Sequence, residues 1–356
     1  MRRSLHRTGV LLGVILVSAI ATGCGLYGET TYTPKSTAPS DGPGSIVRSE
    51  PFAGIDESIT ALGATATRIV YRSTSAVDGS PTEVSGSVFV PAGSPPKGGW
   101  PVIAFAHNAN GMNRECAPSL SPTLANSVGF IAGYLRVGYA LTLADYQGLG
   151  VDNNDAAFNY IDAKTAARNI VDSVRALRAL NPSVSGKWAV IGGGQGGRAA
   201  WAVNELSESY GKGLSLVGAV AVDPLVDIAG LAQAAADRTL NPVLYLNYIW
   251  SLMSVAQADP GFPLDDYRRG FARDQWDQFR TCHLNPGDNS ELAQISPDDL
   301  TPATPAATQR LVHILQAATM PQGRGGEGLL VIYGGDVDTP LEDAIQVATT
   351  RACELG

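Results

Sequence analysis

The chain has 356 residues, with 25 Lys and Arg against 33 Asp and Glu, so its formal net charge is −8. Hydrophobic residues make up 44% of the chain and charged residues 16%, a composition that excludes global disorder and can fill a large core. The acidic balance excludes nucleic acid as an expected partner, because binding phosphates requires a basic surface.

The N-terminus is typical of an export signal. Arg2, Arg3 and Arg7 precede an apolar run over residues 10–20, which is too short to span a bilayer. We therefore predict a signal peptide over residues 1–23. The run ends in Ala21-Thr22-Gly23-Cys24, which resembles a bacterial lipobox and predicts that Cys24 carries a lipid anchor for the membrane. The alternative is an ordinary cleaved secretory signal, and either interpretation places the protein outside the cytoplasm.

Residues 24–50 are rich in Gly, Ser, Thr and Pro and have almost no apolar periodicity. Such a composition predicts a flexible tether that follows the lipidated cysteine. The folded body is then expected to begin near residue 51.

The body alternates short apolar runs with amphipathic segments of helical periodicity. We predict strands over residues 67–73, 84–90, 101–106, 139–144, 188–191, 216–222 and 329–333. We predict helices around residues 167–177, 198–209 and 341–355. This alternation favours an α/β fold with a mostly parallel sheet covered on both faces, after an antiparallel start.

A long segment with a different sequence pattern separates the last two predicted strands. Residues 224–328 contain helical patches at 243–255 and 308–318, between breaks rich in Pro and Asp. This length is too great for one crossover connection, so we predict an inserted, mainly helical cap. The core is expected in two parts, residues 51–223 and 329–356.

The most informative motif lies after the strand at 188–191. Gly192-Gly193-Gly194-Gln195-Gly196 has the spacing of the nucleophile elbow G-x-S-x-G, with Gly194 in place of the serine. Gly192, Gly194 and Gly197 also match G-x-G-x-x-G, but this turn comes late in the sheet, which disfavours a dinucleotide loop. A glycine-rich turn without chemistry is the third interpretation.

Four motifs in chain order resemble the secretory lipase family. They are the segment 101–107 with the CAPS motif at 116–119, DYQGLG at 145–150, GQGG at 194–197 and GDVDT at 335–339. The resemblance implies an α/β-hydrolase fold with a cap, hydrolysis of acyl esters or lipids, and no cofactor. No His or Cys pair has the spacing of a metal site, so no metal is expected.

The resemblance also implies roles for single residues. Gly194 stands at the nucleophile position, so the attacking hydroxyl is lost. The backbone N–H groups of Gln195 and Asn108 would form the oxyanion hole, and Asp338 would be the triad acid, with Asp336 as the fallback.

The catalytic base is the second departure from the family. In this fold the histidine follows the acid, whereas all four histidines precede Asp338. These are His6, His107, His283 and His313. We interpret His107 as part of loop structure and His283 and His313 as ordinary polar residues. The base is therefore expected to be absent, in a chain that stops before the family's last strand.

The resemblance further implies a disulfide between Cys116, in the CAPS motif, and Cys282, in the cap. Cys353 would then remain unpaired, and Cys24 is assigned to lipidation. The alternative is that Cys116, Cys282 and Cys353 are all reduced and buried.

Three functions remain open from the sequence. The first is a lipase-family protein with impaired catalysis that keeps acyl or ester binding, including a wholly non-catalytic lipid-binding lipoprotein. The second is an active carboxylic-ester hydrolase, such as a triacylglycerol lipase, that uses an unrecognised nucleophile or a missing C-terminal segment. The third is a truncated product without function.

Overall fold

The computed structural model describes residues 41–151, 157–282, 291–334 and 340–356. Within these ranges eight strands form one sheet in the order β1-β2-β3-β5-β4-β6-β7-β8. The strands are β1 (Ile46–Pro51), β2 (Thr65–Thr74), β3 (Pro81–Val90), β4 (Trp100–Ala106), β5 (Ala140–Ala144), β6 (Val184–Gly193), β7 (Ser215–Val222) and β8 (Leu329–Ile332).

The sheet changes direction at β5. The pairs β1–β2, β2–β3 and β3–β5 are antiparallel, whereas β5–β4, β4–β6, β6–β7 and β7–β8 are parallel. The predicted antiparallel start and mostly parallel sheet are therefore confirmed. In the parallel part, the carboxyl ends of β4 and β6 lie side by side, with Ala106 paired to Gly192.

β1 corrects the predicted tether. Residues 46–50 were expected to be flexible, but they belong to a strand whose backbone pairs with β2. Five of the six residues of β1 are exposed, so the strand has no apolar alternation that a sequence pattern could reveal. Its stability comes from the hydrogen-bond ladder to β2.

Helices cover the sheet on both faces. The helices are α1 (Glu57–Thr60), α2 (Val128–Arg136), α3 (Ala163–Leu180), α4 (Gln195–Tyr210), α5 (Ile228–Ala236), α6 (Tyr245–Ala258), α7 (Gly270–Asp274), α8 (Pro297–Leu300), α9 (Pro305–Gln316) and α10 (Pro340–Leu355). Val102 and Ala104 of β4 belong to the core cluster that contains α3 and α4, whereas Ile103 belongs to the cluster that contains α2. This alternation is the two-residue period of a strand buried on both faces.

The described residues between β7 and β8 form helices and no strand. α5 packs against α9, and buried aromatic side chains such as Tyr248 and Tyr267 fill the interior of this region. The boundaries of the cap, residues 224 and 328, stay a prediction.

None of the helices in the described ranges is both long and apolar enough to cross a membrane. The predicted signal peptide and Cys24 lie outside the described residues.

Candidate functional site

The candidate site is built on the tight turn that joins β6 to α4. Gly194 is the only residue between the strand and the helix, and it has φ +54° and ψ −117°. Its N–H donates to the carbonyl of Val222 on β7 at 3.0 Å, and its carbonyl accepts the N–H of Arg198 at 3.1 Å. A positive φ of this kind favours glycine, and a strained strand-to-helix turn is the geometry of a nucleophile elbow.

Close packing explains two further glycines of the motif. A Cβ at Gly196 would lie 2.0 Å from the carbonyl oxygen of Ala106, and a Cβ at Gly192 would lie 2.3 Å from the carbonyl oxygen of Gly196. Both glycines are therefore required so that α4 can begin directly beside the end of β4. This packing accounts for the spacing of these glycines without a bound phosphate.

Asn108 reaches the turn from the loop after β4. Its side-chain oxygen, Oδ1, accepts the backbone N–H of Gln195 at 3.1 Å and the backbone N–H of Ala109 at 3.0 Å. We assign the oxygen rather than the nitrogen to this position because both neighbours are donors. A Cβ at residue 194 would lie only 2.7 Å from Oδ1, so the glycine leaves room for this contact.

The structure thus brings three predicted residues together: Gly194, Gln195 and Asn108. Two N–H groups that converge on one oxygen can stabilise a developing negative charge. Ala109 supplies one of them and was missed by the sequence analysis, although it directly follows Asn108. The predicted oxyanion hole consists of the backbone N–H groups of Gln195 and Asn108, and that role stays a prediction.

An apolar cavity of about 480 Å³ adjoins Asn108 and Ala109. The facing residues come from the region between β7 and β8 and include Val243, Leu246, Trp250 and Leu292. This lining is suited to an acyl chain. No sequence pattern points to these particular residues, because they meet the 108–109 loop only in the folded chain.

His107 is held inside the protein beneath the turn. Its Nδ1 donates to the carbonyl of Asn108 at 2.8 Å, and its Nε2 lies 3.3 Å from the carbonyl oxygen of Asp145. Its ring stacks on Tyr146 with 4.2 Å between centroids, and burial lowers the pKa of His107 below its usual value. These contacts fit a structural role in the loop.

Asp145, the first residue of the DYQGLG motif, anchors the CAPS motif. Its carboxylate accepts the N–H of Ser119 at 2.9 Å and the hydroxyl groups of Ser119 at 2.5 Å and Ser85 at 2.7 Å. Burial raises the pKa of Asp145, and the hydrogen bonds from the two serines oppose that rise. The two motifs therefore form one buried polar cluster behind the site.

The remaining predicted site residues are not gathered at this turn. His313 is exposed on α9. The candidate acid Asp338, the fallback Asp336, and the residues Cys24, His6 and His283 lie outside the described residues. The described ranges also contain no cluster of His, Cys, Asp or Glu that could hold a metal ion.

A disulfide joins Cys116 to Cys282, the pair that the resemblance implied, with 5.1 Å between their Cα atoms. It ties the loop after β4 to the chain beyond α7. Cys353 on α10 is free and exposed.

Two buried polar side chains in the first turn of α4 were also missed. Gln195 is 1% exposed and Arg198 is 0% exposed. Both polar atoms of the Gln195 amide, and Nε and Nη1 of Arg198, have no hydrogen-bond partner in the described structure. The third nitrogen, Nη2, donates to the carbonyl of Tyr160 at 2.5 Å.

Residues 119–284 match the model of the secretory lipase family. Among curated proteins, no relative was found by sequence.

Solved structures share the fold. Esterase LipA from Xanthomonas oryzae, described as degrading rice cell wall, superposes with a TM-score of 0.72 at 18% identity, covering 88% of this chain and 89% of the esterase. Lipase A from Candida antarctica in its closed state superposes with a TM-score of 0.70 at 17% identity, covering 92% of this chain and 78% of the lipase. The predicted α/β-hydrolase fold is therefore confirmed.

Proposed function

We propose that this chain, a relative of the secretory lipases with an α/β-hydrolase fold, binds acyl esters or related lipids and is impaired in hydrolysing them. The observation that carries the proposal is Gly194, which stands at the strained turn between β6 and α4 without a hydroxyl group. In the family, the residue at this point of the motif is the serine nucleophile.

The chemistry of the triad explains why this substitution matters. Without the serine there is no alkoxide to attack the ester carbonyl, and without the histidine no group takes the proton. In well-studied triad knockouts the oxyanion hole and binding alone retain a rate about 10³–10⁴ above water. Catalysis at that level is small beside that of a complete triad.

The apolar cavity supports the binding half of the proposal. It opens beside Asn108 and Ala109, so an acyl chain lying in it would place its head group next to the Gly194 turn. The residues of this cavity belong mainly to the proposed cap, as suits a cleft closed by an inserted segment.

Location outside the cytoplasm is suggested by the family and by the disulfide. Attachment through a lipid on Cys24 is our proposal for how the protein stays at the cell envelope. Mass spectrometry of the N-terminal peptide tests it: a diacylglyceryl group on Cys24 supports attachment, and an unmodified mature N-terminus contradicts it.

The catalytic proposal is tested with nitrophenyl esters of short and medium acyl chains. We expect hydrolysis at no more than the rate of the heat-denatured protein, and no labelling by a serine-directed phosphonate. Robust turnover that the phosphonate abolishes would contradict the proposal and favour an active hydrolase.

The binding proposal is tested on Val243, which lines the cavity and is 80% exposed. We expect Val243→Asp to weaken the binding of an acyl ligand at least several-fold, because it introduces a charge into an apolar cleft. Val137→Asp is the matched control, since Val137 is also exposed but lies at the end of α2. Equal binding by both variants would argue against this cavity as the acyl site.

A further inference from the structure

The side chain of Asn108 occupies the position that a ligand oxygen would take. Its Oδ1 already accepts both converging N–H groups, from Gln195 at 3.1 Å and from Ala109 at 3.0 Å. The absence of a Cβ at residue 194 makes this possible, since a Cβ would approach Oδ1 to 2.7 Å. Asn108 itself is exposed and borders the apolar cavity, so its amide can rotate away toward solvent.

We propose that this is a carboxylate-binding site, kept closed by the Asn108 amide and opened by the head group of a fatty acid. The proposal rests on the proposed function, because it uses the same cavity for the acyl chain. It names the ligand class more narrowly: an apolar chain that ends in an ionised carboxylate, in preference to the corresponding neutral ester.

Competition for the two N–H groups underlies this preference. A ligand gains from the site only if its oxygen accepts these groups better than the amide oxygen that it displaces. An ester carbonyl is a weaker acceptor than an amide, so it gains nothing by displacing Asn108. A carboxylate forms charge-assisted hydrogen bonds, which are roughly twice as strong as neutral ones.

The charge around the turn favours an anion as well. The Gln195 N–H is the first of α4, a helix of 16 residues whose N-terminus carries a partial positive charge, and the Ala109 N–H reaches the same oxygen from the loop after β4. Arg198, one turn further along, is fully buried and forms no ion pair with a carboxylate in the described structure. A buried guanidinium that no carboxylate of the described residues contacts adds positive potential to the interior next to the site.

The cavity wall does not oppose an anion. The residues that line it in the described structure carry no charged side chain. Asp162, the acidic residue whose charge acts on Arg198, is engaged in capping α3, where it accepts the N–H of Thr165 at 2.9 Å. A carboxylate bound by the Gln195 and Ala109 N–H groups would therefore have hydrogen-bond donors on one side and the apolar cavity on the other.

The test compares decanoate with methyl decanoate by isothermal titration of the whole protein at pH 8, where the acid is ionised. We expect decanoate to bind about tenfold more tightly than its ester, the ratio that a charge-assisted pair of hydrogen bonds supports. The variant Asn108→Ala removes the internal competitor. It should bind decanoate about three- to tenfold more tightly than the unmodified protein does.

Asn113→Ala is the matched control. Asn113 lies in the same loop and is half-buried, but its side chain donates to Glu115 at 3.1 Å, away from the turn. It should leave both affinities unchanged, and a melting curve of each variant checks that it is folded.

The outcomes separate the two proposals. Equal affinities for acid and ester in the unmodified protein would overturn the carboxylate site while leaving acyl binding intact. Unchanged or weaker decanoate binding by Asn108→Ala would overturn the role of the amide as an internal competitor. Failure of both ligands to bind would overturn the acyl-binding function and the carboxylate site together.

Discussion

The carboxylate of Glu205 accepts the backbone N–H of Gln322 with both oxygens, at 3.1 Å and 3.3 Å. Glu205 lies on α4, and Gln322 lies in the segment that leads from α9 to β8. The contact joins the helix that follows Gly194 to the chain that returns to the sheet. Burial raises the pKa of Glu205 to about 7, although these backbone hydrogen bonds partly oppose the rise.

A raised carboxyl pKa makes stability depend on pH. The Glu205 carboxyl binds its proton more tightly in the folded state than in the unfolded state. Its contribution to the free energy of unfolding is therefore complete below about pH 4.5 and is lost as the pH rises to about 7. We expect Glu205→Gln to remove this loss, since the amide oxygen still accepts the Gln322 N–H. Urea unfolding at pH 5 and pH 8 measures the effect as the difference between variant and unmodified protein.

We expect the stability of Glu205→Gln, relative to that of the unmodified protein, to be greater at pH 8 than at pH 5. Glu208→Gln serves as the control, because Glu208 is an exposed glutamate on the same helix. A difference that is independent of pH would contradict the assigned ionisation.

Introducing a serine at residue 194 is expected to give little ester-hydrolase activity. Gly194→Ser rebuilds the G-x-S-x-G pattern, but the triad acts as a unit, and the function that we propose includes no base. The new side chain must also displace Asn108 and adopt φ +54°, so we expect a stability loss of about 1–3 kcal/mol. Ester hydrolysis and chemical denaturation of the variant measure the two effects.

Gly194→Ala separates the effect of the added Cβ from that of the hydroxyl group, because alanine has the same Cβ without the hydroxyl. We expect the alanine variant to lose about as much stability as the serine variant. Ester hydrolysis by Gly194→Ser at the rate of an active esterase would show that a histidine outside the described residues completes the site.

Ser119 is expected to matter for the loop that carries the CAPS motif. Ser119→Ala removes the hydroxyl that donates to buried Asp145 at 2.5 Å, leaving a carboxylate oxygen with one donor fewer. We expect a loss of about 1–3 kcal/mol in the free energy of unfolding. The loss should be larger at neutral pH than at acid pH, because this hydrogen bond favours the charged form of Asp145.

Ser121→Ala is the control for this prediction. Ser121 lies two residues further along, and its hydroxyl pairs with Thr123 in an exposed position at 3.1 Å. Its substitution should change stability by no more than about 0.5 kcal/mol. Equal losses at the two serines would argue against the importance of the Asp145 cluster.

The disulfide is expected to contribute strongly to stability. Cys116 and Cys282 are separated by 166 residues, and the chain-entropy estimate for a loop of this length is about 5 kcal/mol before strain is subtracted. The double variant Cys116→Ser, Cys282→Ser should therefore unfold at a markedly lower urea concentration. Cys353→Ser, which alters the free exposed thiol, should unfold like the unmodified protein.

Peptide mapping without reductant checks the pairing directly. We expect a linked peptide containing Cys116 and Cys282, and alkylation of Cys353 alone among the three. A Cys282–Cys353 link, or three alkylated thiols, would contradict the structure.

The central strands could be predicted because each is a continuous apolar run in the sequence. The strand predicted at residues 101–106 is Trp100–Ala106, and the one at 139–144 is Ala140–Ala144. β1 was missed because it is an exposed edge strand, and its pairing with β2 depends on chain that lies some 20 residues away. Amphipathic pattern could not reveal such a strand.

The site was predictable only in part. The family motif predicted that Gln195 and Asn108 act at one point, and their hydrogen bond joins residues 87 positions apart. The two hydrogen bonds that the Asn108 amide oxygen accepts could not be foreseen, because they depend on a side-chain rotamer and on the missing Cβ at residue 194. That Nε and Nη1 of Arg198 have no hydrogen-bond partner in the described structure likewise appears only when its surroundings are folded.

The Cys116–Cys282 bond also makes a closed ring of the chain between those residues. Exposed loops are where proteases cut, and a single cut within this ring leaves both fragments covalently attached. The nicked protein would run as two pieces only after reduction. A protein built in this way can keep its cavity lining and its Gly194 turn tethered together after limited proteolytic damage.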